Sequence, residues 1–191
     1  MRKLKLQMQL TINGFSCGPN GELDWMTWHW DDELKNFVDE LHNKVDTILL
    51  GRKMTDGFVS YWTDVFNNKP ESEEYIFAKK MVDYPKVVFT KTLEKSTWAN
   101  TTLAKGDLVE EVNKLKESEG KDIIVYGGAS FVSSLIKNNL IDEYYLFINP
   151  QAISNGMDVF GEVDGIFKLN LVKSNSFKCG IVVNKYIPNN I

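Results

Sequence analysis

The stretch that decides the fold class is Ile123-Ile124-Val125-Tyr126-Gly127-Gly128-Ala129-Ser130-Phe131. Its short apolar run, residues 123–126, predicts a buried strand, and the glycine pair predicts a tight turn. An amphipathic helix is expected to follow over residues 130–138, and residues 47–61 show the same succession of apolar strand, glycine and helix. Short apolar strands that alternate with helices are typical of an α/β protein with a largely parallel central sheet.

The segments on either side of this stretch complete the prediction. Residues 3–12 alternate polar and apolar side chains, and this period of two predicts the first strand. Further strands are expected at residues 47–50, 87–89, 144–148, 167–172 and 181–186, and helices are expected to begin near Asp31 or Asp32, Arg52, Glu71, Asp107 and Ser130. The last two strands are expected to form an antiparallel hairpin joined through residues 174–176.

Composition limits the function classes. The chain has 191 residues with 22 basic and 26 acidic side chains, a net charge of −4. This balance disfavours nucleic acid or an anionic membrane as the main partner, and no run approaches the roughly 18 apolar residues of a membrane span. The two cysteines have neither metal-ligand nor disulfide spacing, so no metal is expected. We therefore predict a single cytoplasmic domain over residues 1–191.

Three junctions after predicted strands carry residues suited to a phosphorylated ligand. They are Gly51-Arg52-Lys53, Thr90-Lys91 and Gly127-Gly128. In open α/β sheets ligands bind beyond the carboxyl ends of the strands, where helix N-termini present free N–H groups. Each junction also has an ordinary interpretation, namely solvated cations, loop polarity or a tight turn. The Gly-x-Gly-x-x-Gly and P-loop motifs are absent, so a nucleotide would be bound in another way.

In this order the three junctions resemble the dihydrofolate reductase superfamily, and within it the standalone relatives of the C-terminal reductase domain of bacterial RibD. Residues 11–15 (Thr-Ile-Asn-Gly-Phe), residues 22–25 (Glu-Leu-Asp-Trp) and residues 140–143 (Leu-Ile-Asp-Glu) add further similarity. The resemblance covers residues 4–187. It implies a three-layer fold with helices on both faces of a mostly parallel sheet of about eight strands.

The resemblance also implies NADPH as cofactor. Carried to this chain, it places the cofactor phosphates at Arg52 and Lys53 and the adenosine end at Thr90 and Lys91. It places the pyrophosphate and the nicotinamide at Gly127 and Gly128, joined by a cis peptide bond. Ala129, Ser130 and Phe131 would contribute backbone N–H groups. One departure is Met54, where the family often has a threonine. It removes a phosphate-facing hydroxyl, although Thr55 is adjacent.

On the substrate side, the loop of residues 14–30 is expected to act as a lid that includes Trp25. The resemblance implies a carboxylate on the first helix that assists protonation; Asp31 is the candidate for it, and a purely N-capping role is equally open. Gln9 either lines the pocket, so that the substrate carries hydrogen-bonding groups, or faces water or a partner subunit. His42 is expected on the polar side of a helix, which makes it a poor proton donor.

The function these residues favour is an NADPH-dependent reductase. It would transfer a hydride to a small heterocyclic or ribosylaminopyrimidine-type substrate, as in riboflavin biosynthesis, and the resemblance implies a homodimer. A non-catalytic NADP(H)-binding protein is the alternative, and a dihydrofolate reductase proper is the third interpretation.

Overall fold

A computed structural model describes residues 1–189. Five helices lie in this part of the chain: α1 (Asp32–His42), α2 (Arg52–Asn68), α3 (Tyr75–Asp83), α4 (Leu108–Glu117) and α5 (Ala129–Lys137). The strands are β1 (Leu4–Thr11), β2 (Val45–Gly51), β3 (Lys86–Phe89), β4 (Thr101–Ala104), β5 (Asp122–Val125), β6 (Glu143–Asn149), β7 (Leu169–Ser176) and β8 (Val182–Pro188).

The eight strands form one mixed sheet in the order β4-β3-β2-β5-β1-β6-β8-β7. Every neighbouring pair from β4 to β6 is parallel, whereas β8 is antiparallel to both β6 and β7. The predicted fold class, with its C-terminal antiparallel hairpin, is confirmed. The connection is different from the prediction, because residues 174–176 belong to β7 and the turn follows them.

Helices cover both faces of the sheet and give three layers. Side chains from α4 and α5, among them Val112 and Leu135, pack on one face with the even-numbered residues of β1. The other face holds α1, α2 and α3, represented by Leu34, Phe58 and Met81. The parallel sheet is thus buried on both sides, as parallel sheets require.

Strand β1 shows the effect of this burial on polar residues. It lies between β5 and β6, so its odd-numbered side chains also face a helical layer, and Lys5 and Gln7 are only 3% and 6% exposed. The Lys5 Nζ is 2.7 Å from the Asp122 Oδ2, which neutralises one buried charge. The alternation predicted the strand correctly, but its polar side does not face water.

Several element boundaries differ from the sequence prediction. Helix α2 extends to Asn68 instead of residue 61, and α3 begins at Tyr75 instead of residue 71. The apolar spacing of residues 34–41 also predicts Val45 as the last apolar position of this helix, but α1 ends at His42 and Val45 opens β2. Strand β4 was not predicted, because its four residues, Thr-Thr-Leu-Ala, contain no apolar run.

Candidate active site

The three junctions meet at one edge of the sheet. Strand β2 lies between β3 and β5 and is parallel to both, which brings the three carboxyl ends together. Gly51 is in register with Phe89, and the Phe89 and Phe131 rings are 5.1 Å apart. A Cβ placed on Gly51 would lie 2.8 Å from the Phe131 Cβ. The turn after β2 and the first turn of α5 are therefore in direct contact.

At the first junction, Gly51 is the N-cap of α2 and no side chain caps this helix. Arg52 and Lys53 are exposed in its first turn, which contains no acidic residue. Cations at a helix N-terminus are opposed by the helix dipole, so the pair favours a bound anion. The buried Thr55 hydroxyl is 3.1 Å from the Gly51 carbonyl oxygen within the helix, so it does not replace the hydroxyl that Met54 lacks.

At the second junction the polar groups are held by their own loops. The buried Thr90 Oγ1 accepts hydrogen bonds from the Thr92 and Leu93 backbone N–H groups, at 3.2 and 3.1 Å. The Lys91 Nζ donates to the carbonyl oxygens of Lys105 and Gly106, at 3.1 and 2.7 Å. Thr90 thus shapes the turn after β3, and Lys91 ties it to the loop before α4.

At the third junction, Gly128 is the N-cap of α5 with φ 82° and ψ 86°, a left-handed conformation that favours glycine. No cis peptide bond occurs among residues 1–189, so the expected cis linkage between Gly127 and Gly128 is wrong for this structure. The Val132 N–H donates to the Gly128 carbonyl oxygen. The N–H groups of Ala129, Ser130 and Phe131 precede this first helical bond, and such groups are available to an anion.

Beside this turn, β1 has an open backbone edge. Strand β5 ends at Val125, opposite Leu6, while β1 continues to Thr11 with β6 on its other side. The glycine turn stays close to this edge, since a Cβ on Gly127 would lie 3.9 Å from the Met8 Cε. The second half of β1 therefore borders a gap in the sheet beside the glycine turn, which we call the notch.

The aromatic loop before α1 packs against the sheet. Trp30 stacks on Phe147 with ring centroids 6.1 Å apart, and its Nε1 donates to the Thr27 carbonyl oxygen at 2.8 Å. Trp25 is 7% exposed, and its buried Nε1 has no hydrogen-bond partner within residues 1–189. An unpaired buried N–H is costly, so this indole group is a candidate donor to a bound molecule.

Gln9 belongs to a hydrogen-bond network with this loop. The Asn149 Nδ2 donates to the Gln9 Oε1 at 2.8 Å, and the Asn149 Oδ1 accepts from the Thr27 N–H at 3.0 Å. Asn149 is fully buried, whereas Gln9 is half-buried at the notch. One end of the Gln9 amide therefore faces into the protein towards Asn149, and the choice between a pocket, water and a partner subunit concerns its other end alone.

Asp31 has both carboxylate oxygens engaged. Its Oδ1 accepts from the Leu34 N–H and its Oδ2 from the Cys179 N–H, each at 2.9 Å. These two backbone hydrogen bonds lower the pKa of Asp31. The carboxylate is ionised at neutral pH and has no proton to donate, so the arrangement favours the N-capping role over the catalytic one.

His42 is fully buried, and the expectation that it lies on the polar side of α1 is wrong. Its Nδ1 is 2.6 Å from the Val38 carbonyl oxygen, and its Nε2 contacts the Tyr126 hydroxyl. Tyr126 directly precedes the glycine turn. The spacing already contained the signal, because residues four apart share a helix face and Val38 lies on the apolar one.

The remaining features concern a groove outside the candidate site, metal binding and membrane spans. An open groove of about 490 Å³ runs along α2 beside residues 97–99 and includes no predicted site residue. Within residues 1–189, no three His, Cys, Asp or Glu side chains are grouped to hold a metal ion. No helix in the same range is both long and apolar enough to cross a bilayer.

Comparisons with known proteins identify the family of this chain. A family model of the RibD C-terminal domain matches residues 2–183. The chain belongs to the RibD C-terminal domain family. One relative, the uncharacterized protein YyaP of Bacillus subtilis (strain 168), is 34% identical over 181 residues, covering 95% of this chain and 92% of YyaP.

Several solved structures have the same fold as this chain. A protein from Shewanella sp. PV-4 named for riboflavin biosynthesis superposes with a TM-score of 0.76 at 20% identity, over 100% of both chains. The diaminohydroxyphosphoribosylaminopyrimidine deaminase/5-amino-6-(5-phosphoribosylamino)uracil reductase of Thermotoga maritima gives 0.70 at 19% identity, over 98% of this chain and 57% of that chain. Dihydrofolate reductase from Enterococcus faecalis, complexed with NADP(H), gives 0.63 at 17% identity, over 98% and 97%. The dihydrofolate reductase-like fold is thus confirmed.

Proposed function

We propose that this protein is an NADPH-dependent reductase acting on a small heterocyclic substrate of the ribosylaminopyrimidine type. The observation that carries the proposal is the contact between Gly51 and Phe131, which joins the N-termini of α2 and α5 at one edge of the sheet. Membership of the RibD C-terminal domain family supports a reductase of the RibD type.

The residues at this edge fit a dinucleotide phosphate. Arg52 and Lys53 would hold the 2′-phosphate or the pyrophosphate, since cations form charge-assisted hydrogen bonds with phosphate oxygens. The free N–H groups of Ala129, Ser130 and Phe131 would bind the pyrophosphate, with Gly127 and Gly128 leaving room for close backbone approach. Thr90 and Lys91 would support the adenosine end by shaping their loop. When bound, NADPH supplies the hydride.

The substrate would lie in the notch beside β1, under the aromatic loop. Trp25 and Trp30 would exclude water from this space, which strengthens polar contacts and protects the hydride transfer. Gln9 would contact the substrate directly. Asp31 would act by fixing the start of α1 and the turn at Cys179, so the proton would come from another source, such as solvent.

The substrate class rests on the reductase of Thermotoga maritima, whose name specifies 5-amino-6-(5-phosphoribosylamino)uracil. The Gln9 amide at the notch can form hydrogen bonds with such a pyrimidine, whereas an apolar ring system would leave it unpaired. The cytoplasmic location and the homodimer remain predictions from the sequence.

The first test is cofactor binding. Tryptophan excitation should give energy transfer to bound NADPH, so titration yields its Kd, and NADH serves as the comparison. Oxidation of NADPH at 340 nm is then measured with 5-amino-6-(5-phosphoribosylamino)uracil and, separately, with dihydrofolate. Turnover of the pyrimidine alone supports the proposal. Binding without turnover on either compound favours the non-catalytic NADP(H)-binding protein, and turnover of dihydrofolate favours a folate reductase.

A further inference from the structure

The orientation of the Gln9 amide is fixed by backbone groups of known polarity. The Thr27 N–H, 3.0 Å from the Asn149 Oδ1, is a donor only. The Phe147 and Leu10 carbonyl oxygens, 3.2 and 3.4 Å from the Asn149 Nδ2, are acceptors only. Asn149 can therefore satisfy its neighbours in one orientation, with Nδ2 towards the strands and Oδ1 towards the loop.

The orientation of Asn149 determines which atom of the Gln9 amide faces away from it. The Asn149 Nδ2 donates to the Gln9 Oε1 at 2.8 Å, so the Gln9 Nε2 is at the other end of the amide. Among the side-chain hydrogen bonds within residues 1–189, Gln9 takes part in this one alone, so its Nε2 has no acceptor there. Gln9 is half-buried and lies on the part of β1 that extends beyond β5. The Nε2 end is thus the part of the amide that remains for a bound molecule at the notch.

We infer that Asn149 is a positioning residue that fixes Gln9 as a hydrogen-bond donor to the substrate. The substrate then presents an acceptor at this point, a ring carbonyl or an unprotonated ring nitrogen. Because Asn149 also holds the Thr27 N–H, one buried amide sets both the specificity of the pocket and the anchoring of the aromatic loop. This inference rests on the proposed function and deepens it.

Replacing Gln9 by glutamate tests the donor directly. Glu keeps the size and keeps an oxygen for the Asn149 Nδ2, but it changes the outward atom from donor to acceptor. With saturating NADPH, we expect Gln9→Glu to raise the KM for 5-amino-6-(5-phosphoribosylamino)uracil by about 100-fold, and Gln9→Met, which lacks the donor without repulsion, by about tenfold. The NADPH Kd should not change in either variant. An unchanged KM in Gln9→Glu overturns the inference.

A double-mutant cycle tests the role of Asn149. If Asn149→Ala acts by releasing Gln9, its effect on KM should largely disappear in the Gln9→Met background, whereas an independent structural effect would be additive. If Asn149→Ala does not fold, the Gln9 side-chain amide protons, identified by their loss in Gln9→Glu, provide a second measurement. They should shift when the pyrimidine binds to the protein loaded with NADP+.

The outcomes separate this inference from the proposed function. Failure of the wild-type protein to bind NADPH contradicts the proposed function itself. If NADPH binds but the pyrimidine neither binds nor reacts, the substrate class in this inference is wrong while the cofactor site stands. If the pyrimidine binds and the Gln9 amide protons do not shift, the donor role is wrong.

Discussion

Gly51 and Phe131, eighty residues apart in the sequence, approach so closely that a single added Cβ at Gly51 would lie 2.8 Å from the Phe131 Cβ. The contact point on Phe131 is its own Cβ, which cannot move without the α5 backbone. The end of β2 therefore fixes the position of the α5 N-terminus, where the backbone N–H groups for a pyrophosphate lie.

The first prediction is that Gly51→Ala shifts α5 and damages the nucleotide site. The new methyl group must displace Phe131, and overpacking of this kind costs about 1–3 kcal/mol of unfolding free energy. We expect lower stability in urea unfolding together with a weaker NADPH Kd in the energy-transfer titration. The matched control is Gly57→Ala within α2, where the added Cβ meets nothing within 4 Å. It should leave NADPH binding intact and raise stability by up to about 1 kcal/mol. Equal NADPH affinity in the two variants would contradict the prediction.

A second prediction concerns the left-handed turn at Gly128, with φ 82°. A Cβ there has only ordinary contacts, the nearest being 3.7 Å from the Phe131 Cβ, so the penalty of Gly128→Ala is backbone strain of about 1–2 kcal/mol. Relaxation of that strain would reorient the N–H groups that follow, and NADPH affinity should fall.

Gly165→Ala controls for strain alone. Gly165 has φ 74° and open space around it in the loop before β7. Its substitution should cost similar stability, measured by urea unfolding, without changing the NADPH Kd. If both variants lose NADPH equally, the loss reflects general destabilisation and not the nucleotide site.

The sequence predicted the end of β2 and the start of α5 because their signals are local. Gly51 and Gly128 each follow a short apolar run, and the resemblance placed both on one ligand. The failures were of a different kind. Strand β4 has no pattern of its own and exists because it pairs with β3. Asn149 carried no sequence signal, because the role proposed for it depends on two strand carbonyl oxygens and the Thr27 N–H of the aromatic loop, which come together only in the folded chain.

The third prediction is that Arg52 and Lys53 discriminate between cofactors. Neither side chain forms an ion pair in the part of the chain that the structure describes, and both lie at the unfavourable end of the α2 dipole. Arg52→Ala combined with Lys53→Ala should weaken NADPH binding by about 10- to 100-fold, consistent with the loss of charge-assisted hydrogen bonds, and weaken NADH much less. The same titration with both nucleotides measures this. Lys168→Ala combined with Lys173→Ala, two exposed lysines at β7, serves as the control for net charge, and equal losses for NADPH and NADH would exclude a 2′-phosphate role.

The fourth prediction is a pH dependence of stability that originates at His42. Burial lowers the pKa of His42 from 6.5 to about 4; Lys80 and Lys5 act in the same direction, and the Val38 carbonyl and Asp39 oppose it. The unfolded chain therefore binds a proton between pH 6.5 and 4 that the folded chain does not, so stability is lost as the pH falls through this window. Between pH 7 and pH 5 the loss should be about 2 kcal/mol.

Urea unfolding at several pH values, with the His42→Phe variant beside the wild type, measures this effect. The variant has no imidazole to titrate, so its curve should be flatter over the same range. Glu143 contributes little to the slope above pH 5: burial would raise its pKa, but hydrogen bonds from Lys3, Tyr145 and Lys185 lower it to about 2, so its own stability loss begins only as the pH falls below 4.5, the ordinary pKa of glutamate. If His42→Phe shows the same slope as the wild type, the pH dependence originates elsewhere.

The last prediction decides between the two roles of Asp31. Its oxygens accept from two backbone N–H groups, of Leu34 and Cys179, and an amide can offer only one acceptor for these two donors. If Asp31 is a structural group, Asp31→Asn and Asp31→Ser should each lower the melting temperature, because each keeps the N-cap alone, and Asp31→Ala, which keeps neither hydrogen bond, should lower it further. If Asp31 is the proton donor, kcat should instead fall in both Asp31→Asn and Asp31→Ser, with little change in the melting temperature. Because its pKa is lowered, we also expect the pH profile of kcat to keep its shape above pH 5 in Asp31→Ser. If the pH dependence of kcat in Asp31→Ser gains or loses an ionisation above pH 5, Asp31 takes part in the proton transfer.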